Sequence, residues 1–183
     1  KMFEEGARLK SRHGAGNVYD FSLGNPSLSP PESFHAKLKE LVDARSEGAH
    51  GYMPNAGYPD VRQSVADYLC KEQHIDISVS DIVMTCGAAG GMNISLKALL
   101  DPGDEVIAPA PYFVEYHFYA NNHGGVLKTV PTRADFTLDI AALSDAVSER
   151  TKAVIVNFPN NPTGQIYSEA ALQELGRLLN EKG

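Results

Sequence analysis

Apolar positions recur along this chain with two different periods, and the points where one gives way to the other set out its elements. An amphipathic start carries Met2, Phe3, Ala7 and Leu9. A strand-like DFSL at 20–23 follows, then an irregular stretch rich in Gly, Pro, Ser and Asn. FHAKLKELVDARSEG sets Phe34, Leu38, Leu41 and Val42 on one face at helical spacing, and GYMPNAG breaks the pattern. PDVRQSVADYLCKEQH predicts a helix with Val61, Val65, Tyr68 and Leu69 inward and Pro59 in its first turn. From there the periods alternate. DIVMTCG, DEVIAPA, VLKTVPT and KAVIVNF read as strands; AAGGMNISLKALL, PYFVEYHFYANNHGG, LDIAALSDAVS and SEAALQELGRLLNEKG read as helices.

Short strands alternating with longer helices predict βαβ units: an α/β fold with a mainly parallel sheet and helices on both faces. The strand cores VIA and AVIV do not alternate, as strands covered on both faces should not. In such a sheet ligands sit beyond the carboxyl ends of the strands. Three strand-to-helix loops there are unusual: TCGAAGGMN, APAPYFVEY and NFPNNPTG.

Composition narrows the function. A formal net charge of −7 argues against a partner built of nucleic-acid phosphates. Cys70 and Cys86 lack CxxC spacing, which signals neither zinc nor a disulfide framework. No apolar run approaches the ~18 residues that span a bilayer, and KMFEEGARLK lacks the apolar core of a signal peptide, so a soluble, cytoplasmic chain is expected.

Each loop has a plain and a chemical reading. In TCGAAGGMN, small residues entering a helix leave main-chain N–H groups free for an anion, or they simply let helix and strand pack closely. It is neither a dinucleotide fingerprint nor a Walker loop. In APAPYFVEY, Tyr112, Phe113 and Tyr116 either cap the sheet edge or offer a plate for a flat ring. In NFPNNPTG the amides either make a turn or donate to a ligand oxygen.

Together the three loops suit one ligand with a phosphate, a planar ring and a polar ring oxygen. SLGNP at 22–26, GYMPNAGYPDVRQSVADYL at 51–69, TCGAAGGMN, LLDPGDEVIAPAPYFVEY at 99–116 and TKAVIVNFPNNPTG at 151–164 occur in this order, and over almost the whole chain it resembles the N-terminal part of a class I/II aminotransferase, a fold-type I enzyme dependent on pyridoxal 5′-phosphate. The resemblance implies an N-terminal arm and part of a small domain at 1–46 and the first part of the cofactor-binding large domain at 47–183. It implies that Ala88 and Ala89 hold the cofactor phosphate by main-chain N–H groups, although the family often has a polar side chain in this loop. Phe113 matches the aromatic that stacks on the pyridine ring, with Tyr112 the competing choice. Asn161 matches the asparagine at the ring 3′-oxygen, close to the substrate, while Asn160 serves the turn. Gly24 matches the glycine facing the substrate α-carboxylate, and Tyr52 the tyrosine reaching a partner subunit's cofactor phosphate.

In the family the Schiff-base lysine, the aspartate at the pyridine nitrogen and the carboxylate-binding arginine all follow the N-P-T-G loop. The resemblance therefore places no catalytic residue in this chain, and Lys97 and Lys152 read as surface charge. Arg8, Arg12 and Arg45 have no motif to assign them. The expected activity of the full-length protein is transamination between an α-amino acid and a 2-oxo acid, with aspartate and 2-oxoglutarate the family's common pair, in a homodimer and without a metal. A carbon–sulfur lyase of the same fold and the ligand-sensing domain of a transcriptional regulator are the alternatives.

Overall fold

The computed structural model describes residues 2–21, 24, 26, 28–44, 47–48 and 50–182. Ser22, Leu23 and Asn25 of the DFSL and SLGNP segments, Arg45, and the side chains of Met2 and Phe3 lie outside the described residues. The chain divides into two compact units, Lys1–Tyr52 and Met53–Gly183.

The first unit holds helix α1 (Met2–His13), a single 3₁₀ turn at Ala15–Asn17 and helix α2 (Glu32–Asp43). Asn17 closes α1 by donating from Nδ2 to the His13 carbonyl at 2.9 Å, and Lys10 pairs with Asp20 at 2.7 Å. Asp20 and Phe21 are not in a strand, which corrects the DFSL expectation over the part of it that is described. The apolar face of α2 exists as predicted but is uncovered: Phe34, Leu38, Leu41 and Val42 are all exposed.

The second unit is built on three parallel strands, β1 (Glu105–Ala110), β2 (Val126–Pro131) and β3 (Thr151–Val154), in the order β2-β1-β3. Glu105 is in register with Val126 on one side and with Thr151 on the other. Ile155 continues the ladder past β3, its N–H reaching the Ile107 carbonyl at 2.8 Å. Val106, Ile107 and Ala108 are fully buried, which is why β1 carries no alternation.

Helices cover both faces. On one, α4 (Gly87–Leu99) and α5 (Glu115–Asn121) bring Leu96, Tyr119 and Ala120 against Val106, with Leu127, Ala153 and Ile155 beside them. On the other, α6 (Ile140–Ala146) and α7 (Glu169–Lys182) bring Leu143 and Leu175 against Ile107 and Val130, with Val154 and Val156 beside them. The alternation of Ala153, Val154, Ile155 and Val156 between these clusters is the strand period of two made visible. The chain leaves β1 for β2 through α5 and crosses back over β1 to β3 through α6. Crossovers of one hand running in opposite directions put their helices on opposite faces, as here.

Three further sequence expectations need correction. DIVMTCG is not a strand: 82–85 has no ladder partner among the described residues, and its Met84 N–H bonds to the Ala56 carbonyl at 2.9 Å. The helix expected over 111–125 is only the seven-residue α5, because the chain turns at Pro111 before it and at Gly124 (φ +76) after it. Helix α3 (Pro59–Gln73) buries Ala66 rather than Val61 and Tyr68, which are exposed. Its orientation is set by Arg62, which donates to the carbonyls of Ile82 (2.7 Å) and Val79 (2.5 Å) and ties the helix to the 3₁₀ turn at Val79–Asp81.

Candidate functional site

The loops that leave β1 and β3 emerge side by side, because these strands are parallel neighbours. The helices they lead to diverge: α5 belongs to the Val106 face and α7 to the Ile107 face. A parallel sheet opens a crevice at its carboxyl edge where successive chains part in this way. Residues 111–114 and 157–165 form its two lips.

The start of α4 lies at the same edge. Its last turn packs Leu96 and Leu100 against Val106, near the beginning of β1. Thirteen helical residues rise about 20 Å, the span of six strand residues, so the helix runs back along β1 to the level of Ala110. Met92, near the first turn of α4, and Tyr116, at the start of α5, join that cluster together. Gly87 adopts φ +68, a conformation that favours glycine, as the chain turns into the helix. The hydroxyl of Thr85 donates to the Gly87 carbonyl at 2.9 Å, and the Gly90 N–H reaches Cys86. Between them, the N–H groups of Ala88 and Ala89 have no partner among the described residues, and both residues are exposed. Free donors at the positive end of a helix are an anion cradle.

The lip from β1 is aromatic. Tyr116 lies half-buried at its centre, its ring stacked with Tyr112 (6.4 Å between centroids, 15° between planes) and edge-on with Phe113 (5.7 Å, 81°). Burial pushes the Tyr116 phenol up. Next to it, the hydrogen bond from Tyr119 to the Glu115 carboxylate, together with burial, pushes that phenol up to about 12. Thr132, just past β2, fixes the loop's departure by donating both its N–H (3.1 Å) and its hydroxyl (2.9 Å) to the Ala110 carbonyl.

The lip from β3 is a closed turn. The Asn160 N–H donates to the Gln165 carbonyl at 2.8 Å and the Gly164 N–H to the Asn160 carbonyl at 2.7 Å. The Asn160 side-chain oxygen accepts from the Thr163 N–H (3.2 Å) and hydroxyl (2.9 Å). Burial pushes the Tyr167 phenol up. Asn160 is 8 % exposed. Asn161, by contrast, is exposed, and its amide makes no hydrogen bond among the described residues.

Ala88, Ala89, Phe113 and Asn161 are thus gathered at one edge of the second unit. Gly24 and Tyr52 belong to the first unit and are both exposed, Tyr52 fully so. Sequence reasoning missed Tyr167, whose only signal is an aromatic three residues past the N-P-T-G motif. A second groove runs along the free side of β3, bordered by Ser148, Lys152, Val154 and Leu179. Among the described residues no cluster of His, Cys, Asp or Glu could hold a metal, and no helix is long and apolar enough to cross a membrane.

The family profile for aminotransferase class I and II matches residues 16–183. A probable aspartate/prephenate aminotransferase of Aquifex aeolicus is 36 % identical over 181 residues, which cover 97 % of this chain and 45 % of that protein. The crystal structure of an amino transferase from Eubacterium rectale superposes with a TM-score of 0.93 at 38 % identity, covering 99 % of this chain and 46 % of that one. An aspartate aminotransferase from Thermotoga maritima superposes at 0.89 and 29 % identity, covering the whole of this chain and 48 % of that one. The chain spans about half the length of the proteins it matches. It belongs to the class I and II aminotransferase family.

Proposed function

We propose that the full-length protein is a pyridoxal 5′-phosphate-dependent transaminase and that this chain supplies three walls of its cofactor site. The observation that carries the reading is the crevice between β1 and β3, with free N–H groups at one side, aromatic rings on one lip and an unengaged amide on the other. These residues fit the group chemically. The Ala88 and Ala89 N–H groups would hold its phosphate, with the α4 dipole behind them in place of a charged side chain. Phe113 is preferred over Tyr112 as the ring plate, because Tyr112 is already stacked on Tyr116 and Phe113 is face-stacked on no ring. The Asn161 amide would donate to the ring oxygen and lie beside the substrate. When bound, the cofactor supplies an electron sink for the bonding electrons of the substrate α-carbon.

The same reading gives Gly24 the substrate carboxylate and gives Tyr52 the phosphate of a partner subunit's cofactor in a homodimer. The full exposure of Tyr52 is compatible with a role outside its own chain. It assigns the small domain to 1–46 and the large domain to 47–183, with the lysine, aspartate and arginine of the reaction later in the full-length sequence. Aspartate recurs in the names of the relatives and is the proposed amino donor, with 2-oxoglutarate as acceptor, in the cytoplasm.

The test uses the full-length protein. Borohydride reduction with the cofactor should label a single lysine beyond residue 183, and aspartate should transfer its amino group to 2-oxoglutarate. Asn161→Ala should change the visible spectrum of the bound cofactor and lower turnover. A protein that neither binds the cofactor nor transfers an amino group would overturn the proposal.

A further inference from the structure

Two adjacent asparagines in one turn have opposite circumstances. Asn161 is exposed and unengaged, whereas Asn160 is buried with its main chain and side chain both committed. We infer that Asn160 is a positioning residue: it braces the 160–165 turn against the core so that the Asn161 amide is presented in one place to the ring oxygen of the cofactor. The inference rests on the role proposed above for Asn161.

The brace has two halves. Within the turn, the main-chain bonds of Asn160 to Gly164 and Gln165 and its side-chain bonds to Thr163 close the loop around Asn161 and Pro162. The Thr163 hydroxyl, while donating to Asn160, accepts the Gln165 N–H at 3.2 Å. The other half reaches the sheet. Tyr167, two residues past Gln165, is buried in the cluster of Ile107, Val130, Leu138, Leu143 and Leu175. The Phe158 ring, on the strand side of the turn, meets the same phenol ring at 6.0 Å and 64°. Both approaches to Asn161 are therefore referenced to one anchored side chain. A donor left to wander by an ångström loses most of its value to a reacting centre, and such support is what holds it.

The experiment is a pH titration of the cofactor's visible absorption in the full-length holoenzyme, which reads the hydrogen bond at the ring oxygen rather than stability. Asn161→Ala should move the midpoint by about one pH unit, the size of one lost hydrogen bond to a charged group. Asn160→Ala should move it in the same direction by at least half as much. Asn160→Asp, whose carboxylate can accept both Thr163 bonds, should restore it. Leu100→Ala opens the core on the other face of the sheet, away from the turn, and should leave the midpoint in place. If Asn160→Ala does not fold, Thr163→Val, which deletes one bond of the brace, must show a smaller shift of the same sign. A shift in Asn161→Ala with none in the brace variants overturns the positioning role alone. No shift in Asn161→Ala itself removes the role proposed for that residue, and the inference falls with it.

Discussion

Val106 and Ile107 are neighbours on β1, both fully buried, and each is a member of a different core cluster on opposite faces of the sheet. One strand therefore serves two cores, and truncating either side chain should be costly. Ile107→Ala is expected to lose about 2–5 kcal/mol, the range for such a deletion with a residual cavity. Val106→Ala should lose about 2 kcal/mol, from two buried carbons and the space they leave. Urea unfolding of both variants checks this. A loss below about 0.5 kcal/mol in Ile107→Ala would contradict the three-layer packing.

This doubly covered strand was legible in the sequence because the DPGD turn before it and the prolines after it hold an unalternating apolar run to strand length, too short for a buried helix. The helix–strand rhythm from 87 onward was legible for the same reason. What misled was local periodicity without its partner. DIVMTCG has the composition of a strand, but a strand exists only where another pairs with it. The stripe of α3 was misread: Arg62 binds two carbonyls near a later turn, so a polar side of the helix is engaged, a tertiary effect that no helical wheel contains. The same holds at the candidate site. Ala88, Ala89, Phe113 and Asn161 stood out by residue type at the ends of elements. The crevice depends on strand order, and the Asn160–Thr163 brace on how a turn closes, and neither is written in spacing.

Gly57 is a second place where one atom decides. It adopts φ +100, and a Cβ there would lie 2.6 Å from Cγ and 2.8 Å from Cβ of Met84. Gly57→Ala combines a left-handed backbone penalty of about 1–2 kcal/mol with overpacking of similar size. The expected loss is about 2–4 kcal/mol. Met84→Ala removes the Cγ overlap but leaves the Cβ overlap and the backbone penalty, so Gly57→Ala should cost less in a Met84→Ala background than in the parent. An equal cost in both backgrounds would mean that the Met84 side chain beyond Cβ is not the obstacle.

Glu105 predicts a pH dependence. Its carboxylate accepts from the Ser148 hydroxyl at 2.7 Å, lies 3.6 Å from the Lys128 ammonium and is approached by Thr151 at 3.4 Å. The Ser148 bond first, then Lys128 and Thr151, hold its pKa below the ordinary carboxylate value against the opposing effect of burial. The folded state therefore binds this proton less readily than the unfolded one. The stabilisation is complete above the unfolded value, about 4.3, and is lost as pH falls through the lower folded value. Glu105→Gln should cost about 1 kcal/mol at pH 7 and flatten the acid limb of stability below pH 5. A variant with an unchanged acid limb would show that these bonds contribute nothing.

The free N–H of Ala88 allows a donor to be removed without disturbing the fold. Ala88 is the second residue of α4, where no intrahelical bond uses its N–H, and proline is tolerated in a first helical turn. The residue before it is Gly87, which lacks the Cβ that ordinarily clashes with a following proline. Ala88→Pro should therefore leave urea stability within about 1 kcal/mol of the parent protein. Loss of one hydrogen bond to a charged phosphate, about 1.5–3 kcal/mol, should weaken cofactor binding to the full-length protein by roughly 10- to 100-fold. Ala88→Gly keeps the N–H and should bind within a few-fold of the parent, which separates the lost donor from the lost methyl group. Spectroscopic titration of the cofactor into the three proteins gives the answer. If the proline variant bound as tightly as the glycine variant, the Ala88 N–H would not be a phosphate ligand, and the anion cradle would have to be drawn from Ala89 and the residues around it.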